Sequence, residues 1–81
     1  MPMSHEEIYA GLNGVFDDVF EYEGALGPGT TSDDVEGWDS IGHVRMILAA
    51  EMKFGVRFQP SEVTGFENLG DLVAAISAKL G

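Results

Sequence analysis

Three apolar stripes at helical spacing, a long Gly-rich break after the first, and a short Pro-led segment before the last predict an all-α fold. The expected architecture is a small four-helix bundle, with three longer helices, one short helix before the last, and a long loop between the first two. At 81 residues the chain is expected to form a single domain, residues 1–81, with a small core.

Ser4-His5-Glu6-Glu7 has the spacing of a capping box. A Ser followed three residues later by Glu satisfies two helix-start amides reciprocally, so a helix begins near His5. At about 100° per residue, Ile8, Leu12, Val15 and Val19 fall on one stripe, widened by Tyr9, Phe16 and Phe20. This helix should run to Glu21 or Tyr22. Gly24, Gly27-Pro28-Gly29 and Thr30-Thr31-Ser32 then break the helical period, and the segment to Asp39 is longer than most connections in compact domains, as functional loops often are.

A second helix starts at Asp39 or Ser40, since either side chain can accept from a first-turn amide, and ends at Phe54-Gly55, where Gly can take a left-handed cap. Its apolar residues form two faces: Ile41, Val44, Leu48 and Met52 on one, Met46, Ile47, Ala50 and Phe54 on the other. A domain this small hardly buries both, so one is left for a partner, and periodicity does not say which. Val56-Arg57-Phe58 alternates like a strand, but Pro60-Ser61-Glu62-Val63 follows at once, so the segment reads as a turn into a short third helix. Asn68 and Asp71 repeat the capping spacing, and Leu69, Leu72, Val73, Ile76 and Leu80 form the stripe of a final helix ending at Gly81.

The net charge is −10 and there is no cysteine. The first excludes the phosphates of nucleic acid and anionic membrane surfaces as partners, and the second removes disulfides and thiolate metal sites, which suits a cytoplasmic protein. Met1-Pro2-Met3-Ser4 leads straight into acids, unlike a signal peptide, and no apolar run approaches membrane-spanning length. All the excess charge lies in residues 1–39, which hold ten acids and no Lys or Arg, whereas residues 40–81 balance Glu51, Glu62, Glu67 and Asp71 against Arg45, Lys53, Arg57 and Lys79. Such a surface keeps a small protein soluble and monomeric, and steers it toward partners with basic docking surfaces.

The chemistry concentrates at Gly37-Trp38-Asp39-Ser40-Ile41, where the loop gives way to the second helix. These residues resemble the attachment site of acyl carrier proteins, in which an Asp-Ser-Leu-like triplet opens the second helix. The frame extends through Ile41, Val44, Ile47 and Phe54, the Phe54-Gly55-Val56 helix end and Phe58. The resemblance implies a non-enzymatic carrier bearing 4'-phosphopantetheine at Ser40 and holding acyl or aminoacyl intermediates as thioesters. It implies a phosphopantetheinyl transferase and acyl-loading and acyl-processing enzymes as partners. Asp39 is then helix cap, transferase contact, or both.

By the same analogy Met46, Ile47, Ala50 and Phe54 face the core, while Ile41, Val44, Leu48, Met52 and Arg45 face partners. Arg45, Gly42, Met52 and Arg57 stand where fatty-acid carriers commonly have acidic or polar residues. That dilution points to a dedicated fatty-acid-type, polyketide or other secondary-metabolic pathway. The alternative is an unmodified helical interaction module with Ser40 as plain cap. Trp38 is expected as a loop anchor and His43 as a packed or half-exposed residue, since Asp39, Ser40 and His43 in a single turn cannot wrap a substrate. Ser32 to Gly37 imitates part of a calcium loop, but Ser32 and His43 occupy the positions that need Asp and Glu. No metal site is expected.

Overall fold

The structure is a computed structural model and describes residues 3–80. Four helices form, α1 (His5–Phe20), α2 (Ser40–Phe54), α3 (Pro60–Gly65) and α4 (Leu69–Leu80), and no strand occurs among the described residues. Met1, Pro2 and the expected helix end at Gly81 lie outside the described residues.

α1 starts as its capping box dictates, the Ser4 hydroxyl accepting from the Glu7 amide at 3.2 Å and the Ser4 amide donating to the Glu7 carboxylate at 3.0 Å. It ends at Phe20, before the expected Glu21 or Tyr22. Glu21 turns left-handed (φ 54°), and its amide and that of Tyr22 return to the carbonyls of Asp17 and Phe16. α2 ends as predicted on left-handed Gly55, whose amide reaches the Glu51 carbonyl at 2.9 Å.

The predicted stripes build the core. Ile8, Leu12, Val15 and Phe16 of α1 meet Met46, Ile47 and Ala50 of α2, with Leu69, Leu72, Val73 and Ile76 of α4 closing the cluster. Phe54 is only half-buried, its ring lying over Gly11 at the edge of the core. Besides Trp38, two buried apolar residues lie outside the stripes: Val35 in the long loop and Val56 after α2. Neither belongs to a helix, so neither shows the 3.6-residue period.

The long loop is ordered by capping α4. The Leu69 amide donates to the Thr30 carbonyl at 2.8 Å and the Gly70 amide to the Pro28 carbonyl at 3.0 Å, while Asn68 Oδ1 accepts from the Asp71 amide at 2.9 Å. The Asp71 carboxylate returns to the Glu67 amide, one residue before Asn68. Asp34 also has a local task, its carboxylate accepting from the Thr31 amide at 2.9 Å.

α3 differs from the rest, for none of its residues is buried. Polar ties hold it and its approach: Lys79 to Glu62 at 3.1 Å, and the Glu51 carboxylate to the Phe58 amide at 2.8 Å. Glu62 also accepts from the Gln59 amide at 3.0 Å, so this bond first and Lys79 second hold its carboxyl below the ordinary carboxylate value of 4.5. No helix of the described residues is long and apolar enough to cross a membrane.

Candidate functional site

The site forms where the loop is pinned to the core. Val35 and Trp38 are buried, and the indole meets Phe16 edge-on at 5.3 Å and stacks on Phe20 at 6.2 Å, making Trp38 the loop anchor its position predicts. With Trp38 fixed, the next two residues are delivered to the start of α2.

Asp39 is the cap. Its backbone is extended, its carboxylate accepts from the Gly42 amide at 2.8 Å, and its carbonyl accepts from the His43 amide at 2.7 Å. Of the two candidate caps, Ser40 is therefore relieved of the duty. It occupies the first position of α2 with its side chain in solvent, and the first-turn amides beside it have no intrahelical acceptor. The first turn of α2 carries no acid, so the partial positive charge of the helix start is not neutralised from within the turn.

Gly42 is buried, so although it stands where fatty-acid carriers commonly have an acidic or polar residue, it is not part of the exposed surface. A Cβ there would run into the Gly37 carbonyl and come within 2.7 Å of the Phe20 ring. Only a glycine lets α2 start this close to the end of α1 and the last turn of the loop. The outward face of α2 is thus Ile41, Val44, Leu48 and Met52, with relative exposures of 70, 50, 55 and 87 %. Arg45 is exposed beside it, in a shallow depression shared with Asp18, Glu21 and Glu36.

On the other side of Ser40 lies a groove of about 620 Å³ between α2 and α3. Trp38, Val44, Val63 and Phe66 supply its apolar walls, while Ser40, Asp39, Thr64 and Glu67 reach its rim. His43 bridges it: Trp38 Nε1 donates to His43 Nδ1 at 2.9 Å, and His43 Nε2 stands 2.8 Å from the Val63 carbonyl. An indole only donates and a carbonyl only accepts, so Nδ1 is bare and Nε2 carries the hydrogen. Helical periodicity turns His43 toward the Ile47 and Phe54 side of α2 but does not reveal this bridge, because Val63 is twenty residues away. A Trp five residues before the His was the one available sequence signal.

Residues 16–76 match the family described as Phosphopantetheine attachment site. The chain is 35 % identical to the acyl carrier protein of Acidothermus cellulolyticus, over 95 % of this chain and 93 % of that protein. It is 31 % identical to the meromycolate extension acyl carrier protein of Mycobacterium tuberculosis, over 94 % of this chain and 67 % of that one. Its fold superposes on the solution NMR structure of holo acyl carrier protein from Geobacter metallireducens with a TM-score of 0.75 and 28 % identity, covering 94 % of this chain and 84 % of that one. Its general partners are accordingly a phosphopantetheinyl transferase and acyl-processing enzymes. The chain belongs to the acyl carrier protein family, and is a carrier of acyl groups on covalently bound 4'-phosphopantetheine and not a catalyst.

Proposed function

We propose that Ser40 is the attachment residue. The observation that carries this reading is the division of labour at the start of α2: Asp39 caps the helix, leaving the Ser40 hydroxyl exposed and uncommitted at its first position. These residues suit a phosphodiester, because the anion would stand at a helix start where Asp39 takes up the Gly42 and His43 amides and the first turn itself holds no acid. The arm, when bound, supplies the thiol that this cysteine-free chain lacks. Asp39 holds the Ser40 backbone in place and contributes a negative contact for the transferase.

The exposed face of Ile41, Val44, Leu48 and Met52, with Arg45 beside it, is the docking surface for partner enzymes in this reading. The acids of the first half steer basic enzyme surfaces toward it. α2 contains one acid, Glu51, and that carboxylate is engaged by the Phe58 amide. An outward face with a cation and no free acid favours a dedicated fatty-acid-type, polyketide or other secondary-metabolic pathway, with a single monomeric domain acting in the cytoplasm.

Incubation with coenzyme A and a promiscuous phosphopantetheinyl transferase, followed by intact mass measurement, tests the assignment. Wild type should gain one phosphopantetheine and Ser40→Ala none. A gain in Ser40→Ala overturns it. For the pathway, Arg45→Glu should improve turnover by fatty-acid synthase enzymes, and no change removes the inference of a dedicated partner.

A further inference from the structure

The groove beside Ser40 is lined by a hydrogen-bonded bar. Trp38 comes from the loop, His43 from α2 and Val63 from α3, and the imidazole joins all three through its two nitrogens. With both nitrogens engaged the ring has one orientation. It stacks on the indole at 6.1 Å and 13°, and meets Phe66 edge-on at 6.5 Å. Phe66 in turn meets Phe58 at 5.6 Å, and fully buried Phe16 stands behind the indole. The row of rings forms a wall.

An acyl group that enters the groove meets the apolar side chains of Val44, Val63, Trp38 and Phe66, with the His43 bridge among them. To go deeper, a tail must part α2 from α3 and break both bonds of His43. That leaves an indole N–H and a peptide carbonyl without partners, a penalty apolar contact has first to offset.

We propose that His43 is a specificity-determining residue for the cargo: by barring the groove it accommodates short acyl groups and leaves long alkyl tails in water. The inference rests on the reading of Ser40 as attachment point. His43 acts on the cargo by holding the Trp38 loop and α3 at fixed separation.

The test loads wild type, His43→Gln and His43→Ala from butyryl-, octanoyl- and dodecanoyl-coenzyme A with a promiscuous transferase, verifies each load by mass, and records thermal melts. Gln can accept from the indole and donate to the carbonyl, so it preserves the bar. Wild type and His43→Gln should each melt within about 1 °C of their own butyryl value at every chain length, whereas His43→Ala should gain about 4 °C or more from butyryl to dodecanoyl as the tail finds cover. A chain-length-dependent rise in wild type overturns the inference, even if no variant folds. So does a flat series in His43→Ala. A wild type that takes up no acyl group overturns the Ser40 reading together with this one, which separates the two failures.

Discussion

α1, α2 and α4 are held by what they bury, and α3 by what it bonds. The first three contribute eleven fully or nearly fully buried apolar side chains to one cluster, while α3 contributes none. Instead α3 depends on the His43 bridge and the Lys79–Glu62 pair, with Val63 and the following Phe66 half-buried. Burial of apolar area scales with the surface removed from water, whereas a solvent-screened ion pair contributes little. A bundle built this way rests its frame on the core, while the α3 wall of the groove beside Ser40 rests on a few polar ties.

The comparison breaks most visibly in the core. Phe16→Ala should destabilise the protein by about 3–5 kcal/mol in chemical denaturation, as a buried large-to-small change that also removes the ring behind Trp38. Val63→Ala should cost well under that. Equal losses would mean that α3 shares the core's energetics.

Gly42→Ala comes next and its sign is informative. On a free helix surface Ala in place of Gly would stabilise by about 1 kcal/mol. Here the new methyl meets the Gly37 carbonyl and the Phe20 ring, so a loss of about 1–3 kcal/mol is expected. A gain would place Gly42 outward.

The caps give a smaller effect. Asp39→Ala should cost about 0.5–2 kcal/mol, because its carboxylate holds the Gly42 amide. Ser40→Ala should fall below that range in the same melts, separating modification from folding. If Ser40→Ala is the more destabilising of the two, the cap has been assigned to the wrong residue.

The helical frame was legible in the sequence because its signals are local. Ser4 with Glu7, Gly55 after Phe54, and the stripes of α1 and α4 act over three to eight residues. α1 ends before the expected Glu21 or Tyr22 because Glu21 turns left-handed without being a glycine. What the periodicity could not show depends on distant partners: Val35 and Val56 enter the core from outside any helix, and α4 is capped by the carbonyls of Thr30 and Pro28. The same division runs through the site. A Ser at a helix start was visible, as was the two-faced character of α2. The inward turn of Gly42 depends on Gly37 and Phe20, the half-burial of Phe54 on its place at the edge of the bundle, and the His43 bar on Val63.

The smallest expected effect is electrostatic. Glu62 is held below its ordinary value of 4.5 by the Gln59 amide and Lys79. Its contribution to α3 is therefore fully present above that value and is lost as pH falls through the lower value of the folded state. Amide resonances of Val63 and Thr64 should shift below about pH 4.5 while those of Leu12 and Met46 hold. Glu62→Gln should remove that acid-range change.

Native-state hydrogen exchange tests the contrast between α3 and the bundle most directly. Amides of α1 and α4 around Leu12 and Ile76 should exchange at the free energy of global unfolding, while that of Thr64 in α3 should exchange through local opening at a distinctly lower one. Exchange of Thr64 at the global value would contradict the account, because α3 would then be as firmly held as the core.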